Sequence, residues 1–275
     1  MENASSQGFG EDRELLPGSG SALGPPPAVG FMSRKDRPYL LNSSPTPKSF
    51  DYRPLGNQFD PAPTGSMVTF VAVSTAGPND QVQTSPDGIT WTIRTNPVSA
   101  SWSGVTWGNG IFVAVASNGF PNQVQTSPNG VTWTSRTAPN NDWYGVTWGN
   151  GLFVAVANNG FPNQIQTSPD GLTWTLRTIA FNNNWFSVTY GNGTFVALAF
   201  TGNNNVQTSP DGITWTIQSS AVAGNFWMAV TYGAGVFVAV AQTGLIGTRV
   251  QTSSDNGVTW ASRTSAADLN WYGVT

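Results

Sequence analysis

The 275-residue sequence contains no cysteine and no histidine. That excludes a disulfide-stapled fold, the usual zinc and transition-metal ligand sets, and any nucleophile arrangement built on a thiol or an imidazole. From residue 67 onward glutamate and lysine are missing as well. The charges left there are five arginines (Arg94, Arg136, Arg177, Arg249, Arg263) and seven aspartates (Asp80, Asp87, Asp142, Asp170, Asp211, Asp255, Asp268). No apolar run approaches the roughly 18–20 residues of a membrane-spanning helix, so membrane insertion is not expected. Glu11-Asp12-Arg13-Glu14 sits where a secretion signal would carry its apolar segment, and no such signal is expected. The net charge is −3 and no basic stripe is present, which argues against nucleic acid as a partner. No cofactor motif and no calcium-ligand spacing is found.

What the sequence has in abundance is repetition. Gln166-Thr-Ser-Pro-Asp-Gly-Leu-Thr-Trp174 recurs at 83–91, 125–133 and 207–215 and, with one residue inserted, at 251–260. The closing tryptophans stand at 91, 133, 174, 215 and 260, so the copies are spaced by 42, 41, 41 and 45 residues, the mark of a repeat architecture. Residues 142–178 show one unit. Trp143 to Trp148 alternates large and small side chains, and Gly149-Asn150-Gly151 turns the chain. Residues 152–157 form a β-branched and aromatic run of buried-strand composition. Turn formers at 158–163 lead into a short third strand at 164–167, and Pro169-Asp170-Gly171 leads into a fourth at 172–177. Four short antiparallel strands with no room for a helix describe one propeller blade.

The turn carries a resemblance. Ser253-Ser-Asp-Asn-Gly-Val-Thr-Trp260 is similar to the Asp box of sialidase-like, BNR-type β-propellers, and the other four copies resemble a form one residue shorter, with Asn129 in place of the aspartate in one. The resemblance covers residues 67–275 and implies a box joining the third and fourth strands on the outer edge of each blade. It implies a fold and little about function, because these boxes are structural.

First-strand motifs begin at Trp102, Trp143, Trp185, Trp227 and Trp271. The first box has no first strand before it, and the last motif has no strands after it. The two fragments complete one blade if residues 271–275 pair with strands drawn from 68–95, which closes the ring and removes open sheet edges. The expected fold is all-β: a five-bladed β-propeller over residues 67–275, preceded by an extended Pro/Gly-rich arm over residues 1–66. A solenoid with frayed ends is the alternative.

The arm holds Pro25-Pro26-Pro27, Pro45-Thr46-Pro47 and Pro61-Ala62-Pro63 and has no sustained apolar period, so it cannot bury enough surface to fold alone. Phe31, Tyr39, Leu40, Phe50, Tyr52 and Phe59 punctuate it. It reads either as a linker or as an extended peptide whose anchors dock into a partner, and the docking peptide is the expectation.

Sialidases of the resembling family use an arginine cluster, a tyrosine paired with a glutamate, and an acid aspartate. Here that glutamate is lacking, and Arg94, Arg136, Arg177 and Arg263 share one repeat position that places them on the outer strands. Asp87, Asp170, Asp211 and Asp255 read as caps of their own turns. No enzymatic activity is expected. The candidate ligand-binding residues lie in the loops between second and third strands: Asn118, Phe120 and Asn122; Asn158, Asn159, Phe161 and Asn163; Asn203 and Asn204. Amides beside aromatic rings suit sugars, and near-identical copies add strength through multivalency; the bland alternative is turn chemistry. Adhesin-like composition, an anchoring arm and no secretion signal together lead to an expected role. It is a non-enzymatic structural or decorating protein of a virus particle, specifically a phage, with the arm bound to capsid or tail protein and the propeller displayed for attachment, for example to a cell-surface glycan. The alternative is a soluble carbohydrate-binding lectin or protein-interaction scaffold.

Overall fold

The computed structural model describes residues 70–275 except 180, 201 and 203. The six aromatic and aliphatic anchors expected in the arm, and Asn203, lie outside these residues. The described chain is all-β and falls into five antiparallel sheets in chain order. The first contains β1 (Phe70–Val73), β2 (Val82–Ser85) and β3 (Thr92–Arg94). The second contains β4 (Trp102–Gly108), β5 (Ile111–Ala116), β6 (Val124–Ser127) and β7 (Thr134–Arg136), and the third β8 (Trp143–Gly149), β9 (Leu152–Ala157), β10 (Ile165–Ser168) and β11 (Thr175–Arg177). The fourth contains β12 (Trp185–Gly191), β13 (Thr194–Ala199), β14 (Val206–Ser209) and β15 (Thr216–Gln218). The fifth contains β16 (Phe226–Gly233), β17 (Val236–Thr243), β18 (Val250–Ser253) and β19 (Ala261–Arg263). Each sheet is a meander, and β4, β8, β12 and β16 stand side by side as inner strands.

The fourth strand of each unit begins later than its sequence suggests. In the third sheet it starts at Thr175 rather than at residue 172, because the turn consumes the preceding amides. Asp170 Oδ1 accepts the N–H groups of Leu172 and Thr173 at 2.8 and 3.0 Å, and the Trp174 indole donates to Gly171 O at 3.1 Å. An Asx cap of this kind competes with a strand ladder for the same donors.

The sheets hold one another through a repeated interlock. Trp102, Trp143, Trp185 and Trp227 are fully buried where the inner strands begin. At the other end each unit carries an aromatic series across its strands, such as Trp148, Phe153 and Trp174, with centroids 4.4 and 6.4 Å apart. There the glycine that ends each inner strand receives the next sheet's aromatic. A Cβ on Gly149 would lie 2.1 Å from the Tyr190 ring, and Gly108 and Gly191 face Trp148 and Tyr232 in the same way. Asn150 adds a link across the same boundary, donating from Nδ2 to Pro210 O at 3.3 Å, as Asn109 does to Pro169 O at 3.2 Å.

The two ends of the chain depart from this pattern. The first sheet has three strands, and residues 271–275 carry no strand assignment; the Trp271 N–H donates to Ala241 O at 3.1 Å. Among the described residues, the ladder expected between residues 271–275 and the first sheet is not formed. In consequence Trp271 is only partly buried, unlike its four counterparts, and no described residue stands opposite Gly233 or Gly273.

Candidate functional site

The chemistry-bearing side chains sort first by what they are tied to. Arg94, Arg136, Arg177 and Arg263 each donate from Nε to a threonine hydroxyl on the neighbouring strand, at 2.8–2.9 Å, along the outer edge of the sheets. Arg249 instead pairs with Asp268 at 3.4 Å. The aspartates at 87, 170, 211 and 255 each accept from a serine hydroxyl two residues earlier and from backbone amides of their own turn. Those bonds favour the ionised form. The carboxyls of Asp87, Asp170 and Asp211 are held below the ordinary value, chiefly by the amides of Thr90, Thr173 and Thr214. Asp255 is lowered to about 2, chiefly by the Thr259 hydroxyl. Asn129 makes the corresponding bonds to Ser127, Val131 and Thr132 without a charge. Among the described residues no group of three His, Cys, Asp or Glu is placed to hold a metal, and no helix is long and apolar enough to cross a membrane.

The loops joining second to third strands all emerge where the inner strands begin, so the described residues among those expected there share one face. Two of the asparagines, however, spend their side chains on the loops themselves, and three others take part in the turns through the backbone. Asn118 Oδ1 accepts the Ser101 N–H at 2.6 Å, and Asn159 Oδ1 accepts the Asp142 N–H at 2.9 Å. The backbone N–H groups of Asn122 and Asn163 donate to Gly119 O and Gly160 O at 2.9 and 2.8 Å. The carbonyls of Asn163 and Asn204 accept from Asn141 and Asn183 at 2.6 and 3.0 Å. For Asn118 and Asn159 the side-chain bond is turn chemistry, whereas Asn122, Asn163 and Asn204 serve the turn with backbone groups. Asn158 differs: its Oδ1 is buried without a hydrogen-bond partner. Phe120 and Phe161, each ahead of a cis proline, stand 59% and 54% exposed at the loop tips.

Between the inner strands on this face opens a funnel of about 320 Å³, walled by residues 103–105, 144–146 and 186–188 together with Met228. The wall contains no carboxylate and no cation. In each four-stranded sheet the pairing slips by one residue immediately after the buried tryptophan, between Trp102 and Gly104, Trp143 and Gly145, Trp185 and Ser187, and Trp227 and Ala229. The residue skipped is Ser103, Tyr144, Phe186 or Met228. A β-bulge re-aims the side chain of its extra residue, and these four lie in the funnel wall.

Tyr144 and Phe186 stack with centroids 4.2 Å apart and planes 24° apart. Phe186 then meets Phe200 at 5.3 Å, and Phe200 meets Phe226 at 4.7 Å, giving a continuous partly buried aromatic row across the third, fourth and fifth sheets. Sequence reasoning misses Tyr144, Phe186, Phe200, Phe226 and Met228, because aromatic and apolar side chains in a strand repeat read as core. The signal that marks them is variation between copies of the unit.

No family model matches the chain, and no curated protein does. Among solved structures it is similar to a virginiamycin B lyase from Staphylococcus aureus, with 16% identity, a TM-score of 0.60, and coverage of 72% of this chain and 70% of that one. It is similar also to a streptogramin B lyase, at 15% identity and a TM-score of 0.57 over 73% of this chain and 69% of that one. A third likeness is to YCF48 bound to a D1 peptide, at 16% identity and a TM-score of 0.51 over 78% and 73%. Likeness at these identities shows the fold alone, a β-propeller, which supports both enzymes and binding proteins.

Proposed function

We propose that the chain is a non-enzymatic structural or decorating protein of a virus particle, a phage, anchored to capsid or tail by residues 1–66. Its Asp-box propeller of five blades binds an attachment target, such as a cell-surface glycan, at the funnel mouth. The observation that carries the binding reading is the composition of that mouth: an aromatic row beside a wall with no ionised group, while the charged residues at 87, 94, 136, 170, 177, 211, 255 and 263 are held in turns and outer strands. Acid–base and nucleophilic chemistry need ionisable groups converging on a cleft, and here the cleft supplies recognition surface instead. As part of the same reading, residues 271–275 add to the free edge of β1 as the missing inner strand and close the ring. A propeller with open ends leaves strand edges to other chains.

Immunogold labelling of purified particles with antibody raised against the full-length chain tests the proposal. Label at a regular position on intact particles is the expected result. A chain confined to the soluble fraction overturns the virion role and leaves the second reading, a soluble lectin or interaction scaffold. The aromatic row favours that reading independently of any virus.

A further inference from the structure

The units of this chain are so alike that the places where they differ carry information. Inner strands read Trp-x-x-Val-Thr-aromatic-Gly, and their second position holds Ser103, Tyr144, Phe186, Met228 and, in the last motif, Tyr272. Five residues after the phenylalanine of the second strand stands Thr75, Ser117, Asn158, Phe200 or Gln242, and the residue before the first tryptophan is Ser101, Asp142, Asn184, Phe226 or Asn270. At the last two positions one unit alone carries an aromatic. The first of these positions lines the funnel, and the exceptional residues at the other two join it there: Tyr144, Phe186, Phe200 and Phe226 form the row described above. A fold built by repetition gains nothing structural from these substitutions, since the other units pack without them.

We infer that the mouth holds one asymmetric binding site per chain, spanning the third to fifth sheets, for the uncharged pyranose rings of a glycan. The inference rests on the reading of the mouth as the binding face. The aromatic row supplies an apolar platform for the C–H face of a sugar ring. The rim beside it is polar: Ser103 and Ser187 belong to the wall, and Gln242 Nε2 donates to the Tyr272 hydroxyl at 2.8 Å. An uncharged wall matches an uncharged ligand, because a carboxylate brought there would lose its hydration without gaining a cation. A funnel of about 320 Å³ is at the small end of ligand sites, suited to one or two sugar rings rather than to a long chain. This replaces the multivalent arrangement expected from the sequence with a single site.

The test is a glycan array probed with the full-length chain, carrying neutral glycans and their sialylated counterparts, followed by calorimetric titration of the best neutral glycan. Binding of neutral glycans with one site per chain is expected. Phe200→Asn and Phe226→Asn, each installing a residue that another unit already carries at the same place, keep the fold and weaken binding about tenfold each. Phe120→Ala and Phe161→Ala leave the affinity unchanged. Four or five sites per chain, or loss of binding on the loop substitutions with the mouth substitutions silent, overturns the inference while keeping a glycan-binding propeller. Preference for sialylated glycans overturns the ligand class. If no glycan binds but a peptide library yields ligands whose binding Phe186→Ser weakens, the mouth remains a binding face and the sugar assignment falls. If neither binds, the reading of the mouth falls with it.

Discussion

At the scale of single side chains, the turn aspartates set how this protein responds to acid. Each has its folded-state pKa lowered by hydrogen bonds from its own loop, most of all Asp255, at about 2. A lowered carboxyl contributes stability that is complete above its unfolded value, about 3.9, and is lost as pH falls through the folded value. Thermal stability is therefore expected to hold steady down to about pH 5 and to fall between about pH 4 and 2. The variant with Asp87, Asp170, Asp211 and Asp255 all changed to Asn should fold, because Asn129 already serves the same turn. Its melting temperature, followed by circular dichroism, should vary less over that acid range than that of the natural chain; an equal slope would remove the turn aspartates as the cause. These caps are legible in the sequence because Ser-Pro-Asp-Gly is a local device whose donors and acceptor lie within a few residues. The re-aimed Tyr144 and Phe186 are not, since a bulge depends on the register of two strands and leaves no local mark.

At the scale of elements, the contact between neighbouring sheets is a plug and socket. The socket is a glycine that has no room for a methyl group. Gly149→Ala would drive a Cβ into the Tyr190 ring, and overpacking of this kind costs typically about 1–3 kcal/mol. Gly233→Ala meets nothing within 4 Å and should be nearly neutral. Chemical denaturation of both variants checks the pair, and equal losses would show that the glycines act through backbone freedom rather than through the interlock. The strands themselves follow closely from the alternation of turn formers with β-branched runs: the second strand expected in the third unit, residues 152–157, matches β9 end to end. The fourth strands are shorter than their composition suggests, because the Asp turn takes the amides of Leu172 and Thr173 before any ladder begins.

At the scale of the whole molecule, the closure of the ring becomes a measurement. If residues 271–275 complete the first sheet, the amides of Val71 and Val73 or of Tyr272 to Thr275 should exchange slowly with solvent deuterium, at rates comparable to those of β4 and β8. Free exchange of both segments would leave the ends unpaired and favour the solenoid-like alternative. The period, the four strands of each complete unit and the outer position of the arginines are all legible in the sequence, because a repeat states its architecture many times. The funnel mouth is not, because it is assembled from residues of four units at sequence separations of some 40 residues, where repetition gives no guidance. The outer-edge arginines have one more consequence. Four of the five basic residues after residue 66 end short hydrogen-bonded strands with Nε already engaged, and both lysines, Lys35 and Lys48, precede them. Amine-directed reagents will therefore fasten the chain to a surface only through the segment before residue 67, leaving every side chain of the sugar platform chemically untouched.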